Sequence, residues 1–296
     1  MAFFGAFSGA KKMFMSAQPQ IYRARRVAKL VRAIPAGDAA GVKLNRVIGT
    51  AALDYHDPFL MFDEFLSGEA VTYIEDVPQH PSRGFETITY MLEGGLHHSD
   101  SRGRAGEVEP GGAHWMTAGR GVIHSETPVA KNGRVHGVQL WLNLPSGAKL
   151  AEPHYNDIPA ADIPAVIFQR AEVRLLAGRF HGLLGPIASP ATEPFIADIS
   201  LGHEGELSLT IPEQHQGFIY VFSGGVAIEQ VLVNPGHAGL LDGGNILNLV
   251  AGRDGARALI ATAKPLNEPI VRQGPFVMNS QAEIKQAFSD YRNGLF

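Results

Sequence analysis

Apolar and polar positions alternate along much of the chain, the pattern of half-buried strands. Ile88, Tyr90 and Leu92 alternate with Thr87, Thr89 and Met91 until Gly94-Gly95 breaks the run. Val138, Leu140, Leu142 and Leu144 alternate with Gln139, Trp141 and Asn143 up to Pro145-Ser146-Gly147. Each run predicts a strand closed by a turn. The same grammar recurs downstream: Gly84-Phe85 and the run from Ile88 to Gly95 are echoed by Gly217-Phe218 and the run from Ile219 to Gly225. Gly106 to Gly112 is echoed by Ala238 to Gly244, and Ala118-Gly119-Arg120 by Ala251-Gly252-Arg253. Partners stand about 130 residues apart, too long for a solenoid unit and suited to two copies of one domain. Each copy is expected to be a β-barrel or sandwich, with the seam between Ile158 and Val166, where Pro159, Pro164 and several alanines interrupt the strand pattern. Near the end, Ser280-Gln281-Ala282-Glu283 reads as a capping box, and Ile284, Ala287, Phe288 and Tyr291 fall on one helical face. This predicts a short packing helix that covers a sheet edge or a barrel mouth.

Composition narrows the chemistry. The 296 residues include 34 Gly and 19 Pro, the punctuation of many short elements, and are long enough for about two domains. With no cysteine, disulfide scaffolds, thiolate zinc sites, iron–sulfur clusters and a cysteine nucleophile are excluded, so any metal must use His, Asp or Glu. A net charge of −4 offers phosphate backbones no global attraction, and direct nucleic-acid binding is not expected. The charge is uneven: residues 1–50 hold nine basic side chains (Lys11, Lys12, Arg23, Arg25, Arg26, Lys29, Arg32, Lys43, Arg46) against one acid, Asp38. The apolar start from Ala2 to Phe7 is short and precedes the lysines, which speaks against a secretory signal. We read residues 1–40 as a basic surface extension and place the first strand near Gly41 to Ile48. No apolar stretch is long enough to span a membrane, and the default expectation is a soluble, cytoplasmic protein.

The densest polar constellation lies in the first copy: His80-Pro81-Ser82-Arg83-Gly84-Phe85-Glu86 before one strand, and Thr117 to Pro128, with His124 and Glu126, after another. Two residues apart on a strand, His124 and Glu126 project to one face and can converge on a single ion, with His80 joining from a neighbouring strand. Two imidazoles and a carboxylate form the facial triad suited to non-haem Fe(II). An isolated His on a strand is more often a hydrogen-bonded surface or core residue, so the second copy serves as a test. At the positions matched to His124 and Glu126 it carries Arg257 and Leu259, with His215 the imidazole nearest its first motif, so the first copy is read as functional and the second as structural.

Four blocks, in order, make the chain resemble the pirin family of bicupins over nearly its whole length. They are Asp57 to Phe65, His80 to Thr87, Trp115 to Gly121 with His124-Ser125-Glu126, and Pro265 to Ile270 with Gly274 to Asn279. The resemblance implies an all-β protein of two cupin domains, jelly-roll β-barrels packed together, with a short C-terminal helix. The expected division is an extension (1–40), an N-terminal barrel with the metal site (41–160), and a C-terminal barrel with the helix and no metal site (161–296). It also implies metal ligation by His80, His124 and Glu126; because a carboxylate near a bound hydroxyl is a competent base, Glu126 is in addition the expected proton acceptor when it loosens from the ion. Fe(II) is the expected ion; Cu, Mn, Ni and Zn suit similar ligands.

The chain departs from the family pattern at Ser82, where pirins carry a second histidine. A three-ligand site, a weakened site, and a barrel without chemistry all stay open. His114 stands where the family commonly has glutamine and is either a substitute ligand or a pocket-lining residue; His97 and His98 are expected at a loop or pocket rim. The function implied is ring cleavage of quercetin or a related flavonol with O2. The alternative is a non-enzymatic regulatory pirin that binds a protein partner, and a third reading is a sugar or small-acid isomerase on the same scaffold.

Overall fold

The computed structural model describes residues 22–37, 43–67 and 78–296. The apolar start, Lys11, Lys12 and Asp38 lie outside the described residues. The first half forms β1 (Val27–Arg32), β2 (Ile34–Gly37), β3 (Lys43–Ile48), β4 (Phe59–Ser67), β5 (His80–Ser82), β6 (Phe85–Glu93), β7 (Gly95–Asp100), β8 (Ala105–Val108), β9 (Ala113–Thr117), β10 (Val122–Val129), β11 (Val135–Asn143) and β12 (His154–Ile158). The second half forms β13 (Ala165–Ile167), β14 (Ala171–Ala177), β15 (Arg179–Phe180), β16 (Leu183–Leu184), β17 (Phe195–Leu201), β18 (Glu206–Thr210), β19 (Gln216–Ile228), β20 (Val231–Val233), β21 (His237–Leu241) and β22 (Ile246–Ala263). A hairpin, β23 (Val271–Gln273) with β24 (Phe276–Met278), and the helix α1 (Gln281–Arg292) end the chain.

These strands build the two antiparallel barrels that the alternation predicts. The first closes from a seven-stranded sheet, ordered β12-β9-β6-β11-β4-β3-β2, facing a four-stranded sheet, β5-β10-β7-β8. The second is a folded nine-stranded sheet along β1-β21-β19-β22-β17-β14-β13, with β18 and β20 pairing β22 and β19.

Strand β1 lies in the segment read as an extension, yet it pairs with β21 of the second barrel, Leu30 opposite Gly239 and Arg32 opposite His237. Over its described part this basic segment is therefore sheet. Val31 is buried while Lys29 and Arg32 face outward. Arg25 is fully buried and donates to the carbonyls of His215, Pro212 and Asp242. A count of charges sees a basic surface because it cannot distinguish an arginine that caps backbone carbonyls from one in solvent.

The apolar faces of the sheets point at each other. Ile88, Tyr90, Leu92, Val138, Leu140 and Leu142 pack in one core cluster with Leu176, Phe218, Tyr220 and Leu259 of the second barrel. Phe62 meets Phe218 edge-on at a centroid distance of 5.1 Å. Two buried tyrosines stitch this interface reciprocally: Tyr90 donates to Asp198 Oδ2 at 2.8 Å, and Tyr220 donates to Glu64 Oε2 at 2.7 Å.

The barrel interiors differ. The second is filled by Val173, Leu207, Leu209, Leu247, Leu249, Val226 and neighbours. Its Leu247 and Leu249, opposite Leu209 and Leu207, sit on the half of β22 that corresponds to β10. Arg257 and Leu259 lie on the other half, which pairs with β17 and β19 as β11 pairs with β4 and β6. The match of these two residues to His124 and Glu126 is thus displaced, because one continuous strand replaces the separate β10 and β11. The first barrel has a smaller apolar interior cluster of Phe65, Met91, Leu96, Val108 and Val135. Its remaining inner face is polar and open.

Helix α1 starts as the capping box predicts, with the Ser280 side chain accepting from Glu283 N and the Glu283 carboxylate receiving Asn279 N at 3.1 Å. Ile284 and Ala287 pack on Phe276 and Met278. Arg83 binds Asp290 at 2.7 Å and tethers the helix to the turn between β5 and β6.

Candidate metal centre in the first barrel

One row of paired residues crosses the inner face of the seven-stranded sheet. Asp157 stands opposite His114, His114 opposite Thr89, Thr89 opposite Gln139, and Gln139 opposite Asp63. Directly opposed residues share a face, so these polar groups meet inside the barrel. From the facing sheet, His80 stands opposite His124, and Glu126 opposite His98.

The three expected ligands come from the facing sheet, His80 on β5 and His124 and Glu126 on β10. The His80 and His124 rings are 4.5 Å apart by centroid. His124 is 2% exposed, and its Nε2 lies 3.2 Å from Ser82 Oγ. Ser82 therefore occupies the space beside His124, as its place in the motif suggests. Glu126 accepts from the Thr89 hydroxyl at 3.1 Å and from Gln139 Nε2 at 2.9 Å, and the Trp141 indole donates to Gln139 Oε1 at 3.0 Å, which fixes the amide. His80 and Glu126 also line a cavity of about 670 Å³ whose apolar walls include Met61, Phe65, Leu96 and Trp141. That volume falls in the range of small-molecule sites.

Electrostatics sets the protonation states. Burial pushes the His124 imidazole down to about 4, with Glu126 opposing, so it is neutral at pH 7. Burial works against the charged form of Glu126, but the surrounding His124, His114 and His80 and the Thr89 hydroxyl outweigh it and hold its carboxyl below the ordinary value. A neutral imidazole next to a carboxylate is the state in which both groups bind metal.

Among the described residues, the group of three donors whose ligand atoms all lie within 4.8 Å of one another is His98, His114 and Asp157. His80, His124 and Glu126 are not drawn into such a group here. Asp157 Oδ1 is 2.6 Å from His114 Nδ1 and its Oδ2 is 2.8 Å from His98 Nε2, with the two rings stacked at 4.0 Å. Burial opposes the Asp157 charge, but the two imidazoles hold its carboxyl low. His98 is thus no loop residue: it sits on β7 and turns inward, while His97 faces Glu107 outside. Gly106 makes room, since a Cβ there would come within 2.4 Å of Asp157 Oδ2.

Two imidazole nitrogens in this centre, His124 Nδ1 and His114 Nε2, are buried without a hydrogen-bond partner. Such an atom costs ~1–3 kcal/mol, a deficit that coordination to a cation would remove. Imidazole and carboxylate donors together suit a divalent transition ion, so the residues present fit a metal.

Family models match the chain as Pirin over residues 41–142 and as the Pirin C-terminal cupin domain over residues 196–296. The chain belongs to the pirin family. It is 42% identical over 281 residues to a Pseudomonas aeruginosa protein named "Putative quercetin 2,3-dioxygenase", covering 92% of this chain and 98% of that one. Human pirin is 37% identical, with 86% and 88% covered. A crystal structure of quercetin 2,3-dioxygenase from Acinetobacter baumannii superposes with a TM-score of 0.83 at 29% identity, covering 93% and 99% of the two chains.

Thr89, Gln139 and Asp157 escaped the sequence reading. The signal for the first two was present, since both stand on the polar side of the alternation. What was missing is that the apolar side of each strand faces the other barrel, which turns the polar side inward. Asp157 carried no signal, because its contact with His114 is a register pairing between strands 43 residues apart. Among the described residues no helix is long and apolar enough to cross a membrane.

Proposed function

We propose that this pirin is a metal-dependent dioxygenase that opens the ring of quercetin or a related flavonol with O2. The observation that carries the proposal is the placing of His80 against His124 on β5 and β10, with Glu126 two residues on, beside a cavity of about 670 Å³ that His80 and Glu126 line. The second barrel has leucines in the corresponding space.

In this proposal His80, His124 and Glu126 hold Fe(II); Cu, Mn, Ni or Zn suit the same donors. When bound, the ion supplies Lewis acidity and a template for the substrate hydroxyls and oxygen. Met61, Phe65 and Trp141 offer flat apolar contact to an aromatic substrate and exclude water. Trp141 itself is held by stacking on Phe85 at 4.1 Å. The Thr89 hydroxyl and the Gln139 amide keep one hydrogen bond on each Glu126 oxygen, and so orient the carboxylate. Glu126 accepts the proton of a substrate hydroxyl. Its lowered carboxyl pKa makes it a weak base, suited to an acidic phenolic hydroxyl rather than an aliphatic one.

The test is to incubate iron-loaded protein with quercetin in air and follow loss of the flavonol absorbance. Turnover that disappears in His124→Ala supports the proposal. No turnover above that variant removes the flavonol assignment, and a stoichiometric protein partner without oxygen uptake on any phenol would favour a regulatory role.

A further inference from the structure

We propose that His114 is a metal ligand through Nε2, held in place by Asp157, and that it supplies the imidazole that Ser82 cannot. The inference rests on the metal dependence proposed above. Its geometry comes from the sheet register. His114 lies between Asp157 on β12 and Thr89 on β6, and Thr89 donates to Glu126. Its Nδ1 is committed to Asp157 at 2.6 Å. An ionised carboxylate only accepts, so Nδ1 is the donor in this contact and Nε2 is the nitrogen left to hold an ion. The two nitrogens point to different sides of an imidazole, so Nε2 is directed away from Asp157. The residue is 0% exposed, and this atom has no hydrogen-bond partner.

A buried lone pair on an imidazole whose other nitrogen donates to a carboxylate is the arrangement that orients metal-bound histidines and raises their basicity. His114 borders the Glu126 carboxylate through Thr89, which stands opposite His114 and donates to Glu126 at 3.1 Å. His98 stacks on the His114 ring and shares Asp157, which fixes the carboxylate from the opposite sheet. Ser82 Oγ reaches His124 Nε2 but offers only a hydroxyl, a poor donor to a divalent transition ion beside imidazole. The centre would then comprise three imidazoles and one carboxylate, drawn from β5, β9 and β10.

Co(II) serves as probe, with binding followed by competition with a chelator and by the visible bands of the ion. The parent is expected to bind one Co(II) per chain. His114→Gln is expected to loosen it more than tenfold and change the bands, and Asp157→Asn to loosen it about 10–100-fold with His114 still present. Thermal unfolding of the metal-free variants checks that both fold. X-ray absorption on the Co(II)-loaded parent, which needs no variant, is expected to count three imidazoles. Binding within twofold of the parent and unchanged bands in His114→Gln, or two imidazoles by X-ray absorption, overturns the inference. So does Co(II) that persists at full affinity in His124→Ala but is lost in His114→Gln, which would place the ion in the His98, His114 and Asp157 group alone. If His124→Ala lowers affinity and His114→Gln does not, only the role of His114 fails. If the parent itself holds no stoichiometric ion, the proposed metal dependence fails with it.

Discussion

Gly106 sits where the two sheets of the first barrel meet through polar groups, and it tests whether that contact is tight. A Cβ at this position would lie 2.4 Å from Asp157 Oδ2 and 2.5 Å from His98 Nε2, about 1 Å inside ordinary contact. Both atoms are side-chain tips, so the backbone can keep its path while the His98–Asp157 contact of 2.8 Å gives way. A hydrogen bond to a charged group contributes ~1.5–3 kcal/mol, and because the Asp157 side chain is 38% exposed, solvent screening favours the low end. Gly106→Ala is therefore expected to cost ~1–2 kcal/mol in urea unfolding of the metal-free protein. Metal affinity is expected to fall about tenfold, as Asp157 loses one of the two partners that orient it. Gly147→Ala is the control: nothing lies within 4 Å of its added carbon, and its stability should stay within ~0.5 kcal/mol of the parent. A Gly106→Ala protein as stable as the control, with unchanged metal affinity, would show that the His98–Asp157 contact is loose and does not orient the centre.

Three further outcomes are expected. Stability should fall as pH drops from 6.5 towards 4, because burial, and then Arg25, push His215 down to about 4 in the native protein. The unfolded chain binds the extra proton across that window, worth up to ~3 kcal/mol; urea midpoints against pH should become less steep in His215→Gln, with the slope from His124 retained, and an equally steep curve in that variant would contradict the assignment. Tyr90→Phe removes the donor to the buried Asp198, which keeps its Arg257 partner at 2.8 Å, and should cost ~1.5–3 kcal/mol in thermal or urea unfolding; no loss would show that the hydroxyl does not hold the barrels together. Gly84→Ala should reduce the yield of folded protein sharply, since φ is +88° and a Cβ would fall 2.0 Å from the Val277 carbonyl oxygen. A variant with parental thermal unfolding would mean that this backbone contact yields easily.

Much of the fold was legible because strands and repeats leave local marks. The Ile88, Tyr90 and Leu92 alternation, the Ser280 capping box and the echo of Gly84-Phe85 in Gly217-Phe218 each follow from a single stretch of chain. The placement of β1 was not legible, since a strand lent to the other barrel depends on a partner more than 200 residues away. Thr89 and Gln139 stand on the polar side of their strands, and that side becomes the barrel interior only because the second barrel covers their apolar neighbours. For the centre, His80, His124 and Glu126 stood out through motif and spacing. The His98, His114 and Asp157 contact did not, because three strands from two sheets must be in register before it exists.

Crystals of the iron-loaded protein, with anomalous diffraction collected at the iron edge, test the metal centre most directly. One strong peak is expected inside the first barrel, about 2.0–2.3 Å from nitrogens of His80 and His124 and an oxygen of Glu126, and none in the second. No peak in a fully loaded sample, or one that touches neither His124 nor Glu126, would rule out a metal centre built on these residues.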